Sequence, residues 1–99
     1  MNPQAQEHAT TVRINKELVQ KAIQVFNATG NFDTLKDSLT QVRDKIRSLP
    51  WSGDEDFQDA LELNENILRA IDQGENTNWL ENALDRLVVR LSDIEMDLS

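Results

Sequence analysis

From Ile14 the apolar side chains recur at positions 14, 18, 22, 25, 28, 32, 35, 39, 42, 46 and 49, and from Val25 every step is three or four residues. That spacing lines one face of a helix and approaches a heptad seam. It predicts a first helical arm over about 14–49, with Phe32, Leu35, Leu39, Val42, Ile46 and Leu49 on its core face. One local signal objects. The stretch Asn27-Ala28-Thr29-Gly30-Asn31 is turn-like, and a glycine inside a helix costs ~1 kcal/mol against alanine. The phase runs unbroken across Gly30, which favours one long helix with a soft point over two shorter ones. Such a helix of ~35 residues would be ~50 Å long.

Pro50 must end this arm, because proline lacks an amide donor and pushes Leu49 out of the helical region. Ser52-Gly53-Asp54-Glu55 then has the form of a capping box, with the Ser52 hydroxyl on the Glu55 amide and the Glu55 carboxylate reaching back. The turn therefore falls at 50–53, and a second arm follows over about 53–97. Its apolar side carries Phe57, Leu61, Ile67, Leu68 and Ile71, then Leu80, Leu84, Leu87, Leu91, Ile94 and Leu98. The step from Ile71 to Leu80 is nine residues, so a break is expected near 73–78, where Asn78 and Glu81 offer a second, weaker capping box. A turn this short makes the two arms antiparallel neighbours.

Residues 1–12 are polar and read as a flexible tail, leaving 13–99 as the helical hairpin. Two helices alone cannot cover a stripe this wide. The chain is accordingly expected to be all-α, a hairpin that completes a four-helix bundle by dimerisation. The alternative is a compact four-helix bundle within one chain, folded at the soft points.

Composition narrows the function more than the fold. The 99 residues suit one domain. There is no cysteine, which excludes disulfides and thiolate metal sites. No apolar run approaches the ~18 residues of a membrane span, so membrane insertion is not expected, and the N-terminus lacks the apolar core of a conventional signal peptide. The net charge of -8 is unevenly placed. Residues 1–50 hold seven Lys/Arg and five Asp/Glu, a balance of +2; residues 51–99 hold three and thirteen, a balance of -10. The second half should repel phosphate, so nucleic acid is not an expected partner. The halves should attract each other or the equivalent surface of a partner chain, with Lys36, Arg43, Lys45 and Arg47 as the basic side.

Catalytic chemistry finds little to build on. His8 is the only histidine and falls in the polar tail. No Ser/His/Asp or Cys/His set can be assembled without it. No Glu-x-x-His pair of the kind that holds two metals is present, and no glycine loop of the phosphate-binding type. No cofactor or metal is expected, and no enzymatic activity.

The turn is the sharpest local feature. Trp51 can act as a staple, its ring packing back on the helix ends. It can equally present contact area to another protein, since aromatics give large area at low entropic cost. Trp51-Ser52-Gly53 at the centre of a ~100-residue, cysteine-free helical hairpin resembles the WXG-hundred family, the small early-secreted-antigen-like proteins of type VII secretion systems. The resemblance covers chain length, hairpin and turn. It implies a four-helix bundle of two hairpins, as a homodimer or a heterodimer with a similar hairpin. It also implies export without a cleaved signal, with Trp51 and Gly53 as the matched residues and a larger secreted toxin or the secretion ATPase as a further partner. In that family a C-terminal Tyr-x-x-x-Asp/Glu signal lies near the turn of the other chain. Here Leu91-x-x-x-Glu95 keeps the spacing without the aromatic ring, so a partner would supply the signal in trans. The competing expectation is a cytoplasmic acidic helical adaptor, chaperone or inhibitor that binds a basic protein surface.

Overall fold

A computed structural model describes residues 3–49, 55–74 and 77–98. They form four helices: α1 (Pro3–Thr29), α2 (Phe32–Arg47), α3 (Glu55–Gln73) and α4 (Thr77–Leu98), with no strand among the described residues. Each helix packs on two others, α1 on α2, α2 on α3, α3 on α4 and α4 back on α1, and the backbones of the diagonal pairs stand farther apart. Short connections make sequence neighbours antiparallel. The arrangement is a four-helix ring of 43 × 23 × 18 Å, its long axis close to the ~40 Å length of a 27-residue helix. The core is therefore enclosed by one chain, where the hairpin expectation needed a second.

The first arm is not continuous. The α1 helix stops at Thr29, and Gly30 takes φ +70, a left-handed conformation that glycine adopts without steric penalty. The Gly30 amide donates to the Phe26 carbonyl at 2.7 Å, closing α1. Asn31 caps α2 by accepting from the Asp33 amide at 2.8 Å. The Gly74 residue after α3 repeats the device with φ +70, at the break expected near 73–78. A Cβ at either glycine would meet nothing within 4 Å, so only backbone strain opposes a side chain there. Gly30→Ala and Gly74→Ala should each destabilise by about 1–2 kcal/mol, read as a lower urea midpoint at unchanged slope.

The polar segment from Pro3 onward is also helical, where a flexible tail was expected over 1–12. Pro3 stands at the first helical position, where its missing amide costs nothing. Thr10 and Thr11 turn their hydroxyls back onto the carbonyls of Gln6 and Glu7, each at 3.1 Å, and so satisfy themselves within the helix. The buried row of α1 is Ala9, Val12, Asn15, Val19, Ala22 and Phe26, again in steps of three and four. Ile14, from which the expected stripe began, points to solvent at 57% exposure. His8 lies on this helix and is half-buried rather than solvated in a tail.

The remaining helices bury the rows expected of them. Leu35, Leu39, Val42, Ile46 and Leu49 are buried, as are Phe57, Leu61, Ile67, Leu68, Leu80, Leu84, Leu87, Leu91 and Ile94. Phe32 departs: it opens α2 at 37% exposure, its ring 4.7 Å from that of Phe26 over the end of the bundle. Asn78 departs too, because α4 begins at Thr77 and Asn78 is inside the helix rather than its cap. One polar side chain is fully enclosed. Asn64, 2% exposed, donates from Nδ2 to the Leu39 carbonyl at 3.1 Å, tying α3 to α2, while its Oδ1 has no partner among the described residues.

Candidate protein-binding faces

The ring sorts the charges by side. Helices α1 and α2 each carry a net charge of +1, from three basic against two acidic and four against three; α3 carries -5 and α4 -3, from one against six and two against five. Because α1 adjoins α2 and α3 adjoins α4, the bundle has a mildly basic side and a strongly acidic one. Among the described residues, the ion pairs between helices cross this divide: Lys16 to Glu95 at 2.9 Å, Lys36 to Asp72, and Arg47 to Glu65. The expected attraction between the halves is thus satisfied inside one chain for Lys36 and Arg47, whereas Arg43 pairs, among the described residues, with its neighbour Asp44 at 3.3 Å. The hydrogen bond and charge of Asp72 hold the Lys36 ammonium above its ordinary pKa. Exposed pairs of this kind contribute little stability individually and mainly orient the helices.

Two surfaces remain on the acidic side. The first is the solvent face of α4. Glu81, Asp85, Val89, Asp93 and Met96 follow one another at helical spacing, so they share one face. Val89 and Met96 stand out at 57% and 73% exposure. The second surface is the groove between α3 and α4. One section, a cavity of about 280 Å³, is bounded by Asp59, Glu62, Leu63 and Asn66 of α3 and by Arg86 and Arg90 of α4. The next section, about 300 Å³, shares Asn66 and is bounded by Arg69, Ala70, Gln73 and Trp79. The groove gathers all three arginines of residues 51–99. Arg86, Asp59 and Glu62 form no ion pair among the described residues, and Arg90 reaches only Asp93, at 3.9 Å.

Of the residues singled out in the sequence, Pro50, Trp51, Ser52 and Gly53 lie outside the described residues. Glu55 is the first residue of α3 and is exposed. Sequence reasoning missed Trp79 and the groove arginines. The available signal was Trp79 beside the break near Gly74, with the sparse arginines of an acidic half at 69, 86 and 90. Among the described residues no cluster of three or more His, Cys, Asp or Glu is placed to hold a metal ion. No helix of the described residues is long and apolar enough to cross a membrane. No family model matches the chain, and no curated protein or solved structure matches it.

Proposed function

We propose that this protein is a non-enzymatic acidic adaptor, chaperone or inhibitor that binds a basic protein surface through the solvent face of α4. One observation carries the reading: Val89 and Met96, both more than half exposed, share a helix face with the carboxylates of Glu81, Asp85 and Asp93. Exposed apolar side chains supply area that favours leaving water. The surrounding carboxylates select a partner of opposite charge and speed its approach. A core enclosed by one chain supports this reading over one in which a second hairpin is needed for folding. The test is affinity capture with the intact chain, followed by binding of the captured partner at low and high salt. Wild-type binding should weaken steeply with salt, and the Asp85→Asn/Asp93→Asn chain should bind less tightly with a shallower salt dependence. Binding that ignores both salt and the neutralised face sinks the idea.

A second reading rests on the place of Trp51-Ser52-Gly53 in the connection between α2 and α3, midway between two helix pairs. On it the protein is a type VII secretion substrate or co-secreted partner, exported with a similar helical protein or a larger toxin and recognised by the secretion ATPase. Because this chain brings four helices rather than two, such a partner would add to a finished bundle. Trp51→Ala should then block export dependent on that system while the melting temperature holds. Export undiminished by the substitution removes the signal role of Trp51.

A further inference from the structure

We propose that the α3/α4 groove is a self-complementary surface that pairs with the same groove of a second copy of the chain. The proposal stands apart from the adaptor reading, which uses the solvent face of α4. It begins from charges that share a groove without meeting. Asp59 and Glu62 stand on the α3 wall and Arg86 and Arg90 on the α4 wall of one cavity, yet among the described residues no ion pair spans it. A partner that fills the groove must offer both signs in the same order.

A second copy does so by symmetry. Rotation about a two-fold axis parallel to the helices lays the α3 wall of one copy on the α4 wall of the other, so that carboxylates meet guanidinium groups at the same level. The same rotation brings Trp79 on α4 over Arg69 on α3, which bound the adjoining cavity; guanidinium over an indole face is a favourable contact. The net charge of the protein, -8, opposes self-association everywhere else on this side. Within the groove, Arg69, Arg86 and Arg90 outnumber Asp59 and Glu62 by one, so a second copy arriving there meets no excess of like charge. The groove spans α3 from Asp59 to Gln73, about 21 Å of helix, and is two helices wide at ~8–10 Å spacing. The contact is therefore about 400 Å² per copy, below the size of a standard stable interface, which means a weak, concentration-dependent dimer.

Sedimentation equilibrium of the intact chain over about 10 μM to 1 mM reads this directly, a range set by the affinity of small interfaces. The mass should rise from 11.3 kDa toward twice that value. Two charge-reversed chains give the decisive comparison. Arg86→Glu/Arg90→Glu leaves only acids on the walls of the section that holds Asp59 and Glu62, with Arg69 the one base left in the groove, and Asp59→Lys/Glu62→Lys leaves only bases. Each alone should associate at least about tenfold more weakly than the wild type, and an equimolar mixture should recover the wild-type affinity. Trp79→Ala should also weaken the pair. Circular dichroism of each variant establishes that the surface changes leave the bundle folded. A wild-type chain that stays at 11.3 kDa throughout, reversed chains that dimerise as before, or a mixture that fails to associate overturns the proposal.

Discussion

Val12→Asp should unfold the protein's first helix from the bundle, while Ile14→Asp, two residues away, should change almost nothing. Val12 has no exposed surface and Ile14 is 57% exposed on the opposite side of α1. A carboxylate forced into the position of Val12 would lose its water without gaining a partner, at an effective cost of several kcal/mol. A domain of this size has a total stability of about 5–15 kcal/mol. At about 4–8 °C per kcal/mol, a 3 kcal/mol loss lowers the melting temperature by at least about 12 °C. The Ile14 change is a surface substitution, expected within about 0.5 kcal/mol. Thermal melts of both variants, with limited proteolysis of the N-terminal segment, check the pair. Equal melting temperatures would mean that residues before 13 contribute no core.

Leu87→Ala is the second large effect. Leu87 is 1% exposed and borders a narrow void between α2, α3 and α4, together with Val42, Ile46, Ala60, Leu61, Asn64 and Leu91. The void has no room for a water molecule, and the Asn64 Oδ1 has no partner among the described residues. Truncating Leu87 removes carbon contacts and enlarges a space that the neighbours already fail to fill. The cost should be about 3–5 kcal/mol, the upper part of the range for buried leucines. Asn64→Leu in the same chain supplies carbon to the void and removes the orphan acceptor. The double variant should therefore lose at least about 0.5 kcal/mol less than the sum of the two single changes, the size of coupling found between touching residues. Urea unfolding of the two single variants and the double variant measures this. Strict additivity would show that the two side chains do not share the space.

The rows of α2, α3 and α4 were legible because large apolar side chains, mostly leucine and isoleucine, mark most of their buried positions, largely in steps of three and four. The row of α1 was not. Its core positions include Asn15 and two alanines, Ala9 and Ala22, which carry little hydrophobic signal, while Ile14, Leu18 and Val25 lie off the buried row. Val25, Ala28 and Phe32 continued the phase of α2 backwards across Gly30 by coincidence, so the turn chemistry of Gly30 and Asn31 was outvoted. The N-terminal segment misled in a different way. Low apolar content suggested a tail, but Pro3 suits the first helical position, the alanines and the glutamines form a helix readily, and Ala9 and Val12 are buried against the bundle. The groove could not be read at all from spacing. Periodicity assigns residues to a helix face, and only the packing of α3 against α4 brings Arg69, Arg86, Arg90 and Trp79 to one channel.

Closing the ring joins the first helix to the last, and this orders events during synthesis. Val12 and Val19 find one neighbour in α2, but α4, the other helix against which α1 packs, is translated after the other three. At about 5–20 residues per second, the leading helix is made several seconds before that partner exists. Through that interval a half-covered apolar row is exposed on the growing chain, and premature termination anywhere in α4 would leave it so permanently.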